Sequence, residues 1–129
     1  MKYNEREVRK ELVLQAAKEI MVAARTAPKG KGMDIIEVMT ITGDDIVSLS
    51  EEMLRVQKEN GFKFFLRDAE NILQAEAVLL IATREQNHGM NCMRCGFALC
   101  SDRPESVPCA INTIDVGIAV GSACAMAAD

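Results

Sequence analysis

The feature that most constrains this chain is a group of four cysteines between positions 92 and 109. Cys92, Cys95, Cys100 and Cys109 follow the spacing C-x2-C-x4-C-x8-C. Two thiols separated by two residues can chelate one centre without backbone strain, and the other two arrive from the same polar loop. The charged N-terminus resembles no secretion signal, and in a reducing compartment clustered thiols ligate metals more often than they form disulfides. The pattern therefore predicts a thiolate cage for a metal centre in an irregular loop over residues 88–109.

The uneven spacing of these cysteines indicates which kind of centre they hold. A cubane 4Fe-4S cluster needs one thiolate at each of four separated iron corners, whereas tetrahedral zinc more often takes its ligands as two tight C-x2-C pairs. Gly96 would let main-chain N–H groups approach the sulfurs, and Cys109 near a helix start would lie in the positive end of the helix dipole. The residues favour a 4Fe-4S cluster, with a structural zinc site as the alternative.

Two further residues could take part in metal chemistry but have simpler interpretations. His88 precedes the cluster and could tune or replace a ligand, but a solvated loop histidine is the preferred interpretation. Cys124 falls in an alanine-rich segment, where an inert core residue is expected. Neither is included in the predicted ligand set.

The composition excludes several classes of function. The chain is 49% hydrophobic and 26% charged, which is typical of a globular protein, and its length predicts a single domain over residues 1–129. The net charge is −4 and the basic residues are dispersed, so nucleic acid is not an expected partner. The apolar stretch from Ala110 to Ala128 contains Asn112 and Asp115, which favours a buried helix over a membrane span. We expect a cytoplasmic protein that binds neither nucleic acid nor a membrane.

The hydrophobic periodicity predicts alternating helices and strands. The predicted elements are a helix from about residue 5 to Thr26, a strand over Ile35–Ile41, a helix from Asp44 to the Asn60-Gly61 stop, a short helix over Asp68–Gln74, a strand over Ala77–Ala82, and a last helix from near Cys109. The continuous apolar run of the second strand is typical of a central strand, and the helical connection permits parallel pairing with the first. The expected fold class is α/β, an α+β sandwich in which helices flank a small sheet.

Four segments of the chain resemble one known family over nearly its whole length. They are Ala24–Gly32, Arg67–Asn71, Cys92–Phe97 and Cys109–Ala123, and they resemble the ferredoxin domain-containing family known as domain of unknown function 2148. This resemblance implies that the four cysteines hold an iron-sulfur cluster. The function it implies is electron transfer or redox sensing with a redox partner protein.

The order of the elements also resembles the FMN-dependent nitroreductases. Those proteins have a long first helix ending in an alanine-proline turn, a strand, a helix, a second apolar strand and a glycine- and alanine-rich central helix. The resemblance implies a nitroreductase-like core, a homodimer with FMN between subunits, and Lys29 or Lys31 near the flavin ring edge or phosphate. A flavin-dependent oxidoreductase fed by the cluster is therefore the alternative function, and a solvated surface loop is the simpler interpretation of the two lysines.

Two predictions concern the last segment of the chain. Gly117 and Gly121, four residues apart, would let another backbone approach a helix face closely, in the core or in a dimer. The sequence reaches Ala128-Asp129 inside a helical pattern without a cap. We therefore expect a full-length form to continue beyond it.

Overall fold

A computed structural model describes all residues from Met1 to Asp129. The protein contains four α-helices, two β-strands and two single turns of 3-10 helix. The elements are α1 (Glu5–Thr26), β1 (Ile36–Thr42), α2 (Asp44–Asn60), α3 (Phe64–Ile72), β2 (Ala77–Thr83) and α4 (Ala110–Ala128), with the 3-10 turns at Gly30–Gly32 and Cys100–Asp102. The class is α+β, and each predicted helix and strand is present within a few residues of its expected position.

The two strands form a two-stranded antiparallel sheet, which corrects the predicted topology. The main-chain N–H of Arg84, just after β2, donates to the carbonyl of Ile35, just before β1, at 2.9 Å. The end of one strand therefore lies beside the start of the other. The predictions of parallel pairing and of a central strand are wrong, because an apolar run encodes neither the direction of pairing nor the number of neighbouring strands.

The chain folds as two compact units, and the first comprises residues 1–18 and 40–79. Within it α2 packs against α3, and the buried Ser50 hydroxyl donates to the carbonyl of Ala69 at 2.8 Å. The helix α2 ends where Gly61 adopts the left-handed conformation (φ 74°) and its N–H donates to Gln57. Glycine has no Cβ to oppose this conformation, so the predicted stop is confirmed.

The second unit comprises residues 19–39 and 80–129 and contains the cysteine loop. Its core is built mainly from small side chains of α1 and α4 together with β1: Ala24, Ala27, Ile36, Ala119 and Ala123. Ala24 and Ala119 are completely buried. The first turn of α4 lies beside the loop, where Asn112 contacts His88.

The helix α4 has one buried face and one exposed apolar face. It is the one helix long and apolar enough to cross a membrane by length and composition, with a mean hydropathy of 1.4. The exposed face includes Ile114, Gly117, Ile118 and Gly121. A Cβ atom added at either glycine would meet nothing within 4 Å, so this chain makes no close backbone approach there. Close packing in a dimer stays a prediction.

Cys124 is exposed rather than buried, so its prediction as a core residue is wrong. Ala119 and Ala123 occupy the buried positions of this part of α4. The residue after Ala123 is turned by about 100° around the helix axis, which carries the Cys124 thiol away from the core. An alanine-rich helix offers too weak a pattern to identify its buried face.

Candidate metal centre

The first two cysteines of the loop lie in a tight turn of the backbone. Asn91 and Met93 have positive φ angles of 48° and 62°, and Gly96 has 93°. The N–H of Gly96 donates to the carbonyl of Met93 at 3.0 Å, which closes the turn around Cys95. Positive φ is uncommon outside glycine, so the C-x2-C segment is held in a conformation that a regular helix or strand could not provide.

Cys100 is joined to this turn by two hydrogen bonds with Asn91. The main-chain N–H of Asn91 donates to the Cys100 sulfur at 3.3 Å. In return, the N–H of Cys100 donates to Asn91 Oδ1 at 2.8 Å. The pair brings the Cys100 main chain next to the residue that precedes Cys92.

Cys109 occupies the N-cap position of α4. Burial raises the pKa of the Cys109 thiol, but the nearby main-chain N–H groups of Asn112, His88 and Ile111 and the charge of Arg103 lower it, and the net pKa is below its ordinary value. The Cys109 side chain forms no capping hydrogen bond with the first turn of α4. The nearby N–H groups act as oriented dipoles, which favour the thiolate that a metal requires.

Arg103 braces the two ends of the loop. Its Nε atom donates to Asn87 Oδ1 at 2.9 Å, and its guanidinium also donates to the carbonyl of Val107. Asn87 lies before the first cysteine and Val107 just before the last. The same side chain therefore fixes the loop and contributes positive charge near Cys109.

His88 is buried, which corrects its interpretation as a solvated histidine. Only 2% of the residue is exposed, and Nδ1 lies 2.9 Å from Asn112 Oδ1. The Asn112 amide donates through Nδ2 to the carbonyl of Gln86 at 2.7 Å. Nε2 of His88 is buried and has no hydrogen-bond partner. The imidazole therefore ties the start of the loop to the first turn of α4.

The turn at Gly30 packs against the same region. Its N–H donates to both carboxylate oxygens of the buried Asp115, at 2.9 and 3.0 Å. A Cβ added at Gly30 would lie 2.8 Å from Cγ2 of Ile111 and 3.1 Å from Nε2 of His88. Glycine is therefore required at this point because the backbone itself fills the space beside α4.

The structure brings Cys100 beside the residue that precedes Cys92 but does not gather the four sulfurs around one point. No group of three or more His, Cys, Asp or Glu side chains is close enough to hold one metal ion. All four loop cysteines are free and partly exposed. The donor chemistry fits a thiolate-bound centre, because the Cys100 sulfur accepts the main-chain N–H of Asn91 and N–H groups near Cys109 lower the pKa of its thiol. A bound centre would require residues 88–109 to close further around it.

The two lysines proposed for a flavin differ in their surroundings. Lys29 donates to the carbonyls of Ala24 (3.1 Å) and Arg25 at the end of α1, and its side chain is only 5% exposed. Lys31 has a positive φ of 58° and is exposed. A role for either lysine in binding FMN or another anion stays a prediction.

Comparison with known proteins identifies a relative of this chain. It is 38% identical over 133 residues to an uncharacterised protein of Archaeoglobus fulgidus, in an alignment that covers 95% of this chain and 72% of the archaeal protein. The chain belongs to the same family as that protein. No protein-family model and no solved structure matches the chain.

The sequence did not reveal three residues that shape this region: Asn91, Asn112 and Gly30. One local signal was present for Asn91, because asparagine tolerates a positive φ better than most residues and directly precedes the first cysteine. For Asn112 and Gly30 the partners lie far away along the chain. Their contacts can therefore be found only from the folded structure.

Proposed function

We propose that this protein binds a 4Fe-4S cluster through Cys92, Cys95, Cys100 and Cys109 and uses it for electron transfer or redox sensing. The observation that carries the proposal is that the Cys100 sulfur accepts the main-chain N–H of Asn91, while N–H groups near Cys109 lower the pKa of its thiol. Such groups stabilise the negative charge of a ligating thiolate and of the cluster it holds. When bound, the cluster would accept and donate single electrons, and the chain would set its potential through these N–H groups and through burial.

The uneven spacing of the cysteines supports iron over zinc. The x4 and x8 intervals separate the third and fourth ligands, which suits the distant corners of a cubane better than a single tetrahedral ion. The motifs shared with the ferredoxin domain-containing family point the same way. Structural zinc, which would only hold the loop folded, remains the competing proposal for the same four residues.

Anaerobic purification followed by an absorbance spectrum and metal analysis tests the proposal. We expect a brown protein with an absorbance band at about 400 nm that bleaches on reduction. Iron and acid-labile sulfide should be present in equal amounts. Serine variants of each of the four loop cysteines should lose most of this absorbance. The matched control is Cys124→Ser, which changes an exposed thiol of α4 outside the proposed ligand set and should retain it.

The other possible results of this experiment would lead to different conclusions. A colourless protein with stoichiometric zinc would replace the iron-sulfur proposal with the structural one. A structured yellow spectrum would support the flavin-dependent oxidoreductase, with the exposed Lys31 as the lysine to substitute first. A metal-free and colourless protein, purified under strictly anaerobic conditions, would contradict the iron-sulfur, zinc and flavin proposals.

The remaining expectations belong to the same proposal. The motifs support membership of the family known as domain of unknown function 2148, and the order of the elements supports a nitroreductase-like core. Four clustered cysteines proposed as metal ligands suit a reducing compartment such as the cytoplasm, where an unidentified redox protein would exchange electrons with the cluster. A homodimer is part of the proposal, and sedimentation equilibrium measures it directly.

A further inference from the structure

We propose that Asn91 is a positioning residue for the metal centre, which holds Cys100 in place and donates its own N–H to the Cys100 sulfur. The inference rests on the proposed function, because it assigns a role at the same site. It concerns a residue outside the four-cysteine spacing, and it is carried by the geometry of one pair of residues.

The geometry is a reciprocal exchange between a main chain and a side chain. Asn91 Oδ1 accepts the N–H of Cys100 at 2.8 Å, and the N–H of Asn91 donates to Cys100 Sγ at 3.3 Å. The first contact fixes the Cys100 backbone, which leaves the side chain able to receive the second. Removing the carboxamide would release the backbone and weaken the N–H···S contact, although its donor is still present.

Asparagine meets two requirements at this position. The residue has a φ of 48°, a left-handed conformation in which asparagine, aspartate and glycine are the residues most readily found. It must also provide an acceptor on a short side chain that reaches the N–H of Cys100. Glycine would satisfy only the first requirement, and aspartate would satisfy both but would add a negative charge.

The expected effect on a bound cluster follows from charge. A hydrogen bond to a ligating sulfur draws electron density from it and stabilises the reduced cluster, which raises its reduction potential. Cys100 is partly exposed, and surrounding side chains do not cover it completely. The contact with Asn91 therefore also limits how far the sulfur can move from the turn that carries Cys92 and Cys95. Asn91 would therefore both raise the potential and slow the loss of metal.

Two variants and one matched control separate these effects. Asn91→Gly keeps the left-handed conformation and removes the acceptor, whereas Asn91→Asp keeps both. The control Asn60→Gly makes the same substitution in the first unit, where Asn60 Oδ1 accepts the main-chain N–H of Phe62 at 2.9 Å, away from the cysteine loop. The metal-free proteins are measured by hydrogen exchange of the Cys100 amide, and the iron-loaded proteins by reduction potential and by the rate of iron loss to a chelator.

In Asn91→Gly we expect exchange of the Cys100 amide to accelerate about three- to tenfold, the range expected for one net hydrogen bond. Asn91→Asp should keep the slow exchange, and Asn60→Gly should leave it unchanged. In the loaded protein, Asn91→Gly should lower the reduction potential and lose iron about three- to tenfold faster than Asn60→Gly.

The outcomes distinguish failure of this inference from failure of the proposed function. Equal exchange rates of the Cys100 amide in Asn91→Gly and Asn60→Gly would overturn the inference at the level of the contact. Faster exchange with an unchanged potential and unchanged iron loss would overturn the role at the metal centre. A wild-type protein that takes up no iron would instead refute the proposed function, and the positioning role with it, whatever the exchange rates are.

Discussion

The side-chain amide of Asn112 determines the hydrogen bonding of the buried histidine beside the loop. Asn112 uses Nδ2 to donate to Gln86, so its Oδ1 is the acceptor for His88 Nδ1. The network therefore assigns a proton to Nδ1 of the imidazole. Nε2 is buried without a partner, next to the turn at Gly30. Residue 30 must therefore be glycine, because a side chain there would collide with the imidazole ring.

Gly30→Ala should destabilise the protein by about 1–3 kcal/mol, the usual cost of overpacking. The added methyl group would meet Cγ2 of Ile111 at 2.8 Å, and a short β-branched side chain cannot move away at low cost. The control Gly117→Ala adds a methyl to an open helix position and should stabilise the protein by up to about 1 kcal/mol. Urea unfolding of the metal-free proteins measures both, and a Gly30→Ala variant as stable as Gly117→Ala would contradict the close packing of this turn against α4.

At the scale of elements, α4 connects the core of the second unit to the cysteine loop. Its N-cap is Cys109, and its first turn carries Asn112, whose amide holds His88. The start of this helix was predicted from the sequence because Pro108 and the change in composition are local signals. Its orientation was not predicted, since alanine and glycine on several faces give no clear amphipathic pattern. The wrong prediction that Cys124 is buried follows from that missing information.

The position of Cys109 predicts how the stability of the metal-free protein depends on pH. A thiol whose pKa is lower in the folded state contributes stability that is complete above the unfolded pKa, about 8.5, and is lost as the pH falls through the folded value. The difference in free energy of unfolding between the wild type and Cys109→Ser should therefore increase as the pH rises through the folded pKa towards the unfolded value of about 8.5, and then level off. Urea titrations of both proteins at several pH values measure it. A difference that is constant or that decreases with pH would contradict the lowered pKa.

At the scale of the whole molecule, the sequence was informative wherever a structure depends on neighbouring residues. The end of α2 at Gly61 and the extent of α1 follow from local preferences, and both were predicted. The antiparallel direction of the sheet depends on the contact between Arg84 and Ile35, and the burial of His88 depends on Asn112, which is 24 positions away. Contacts of this kind leave no periodic pattern in the sequence. The four proposed cysteine ligands differ from both cases, because their spacing is local and their convergence around a metal is a proposal.

All the proposed ligands belong to the second unit, which predicts where metal binding changes the dynamics. Loading with iron should slow amide hydrogen exchange between residues 88 and 109, because the centre would cross-link the loop at four points. Exchange in α2 and α3 of the first unit should stay the same. Comparison of loaded and chelator-treated protein by exchange mass spectrometry measures this. Slowing that is uniform over the chain, or absent from the loop, would contradict the assignment of the ligands.

The contacts of Lys29 have a consequence for the surface of the turn that follows α1. The ammonium group caps the last carbonyls of the helix, and its side chain is almost entirely covered. An acylating reagent that attacks accessible amines would therefore label Lys31 and leave Lys29 intact. To an approaching anion, this basic segment presents one accessible positive charge rather than two.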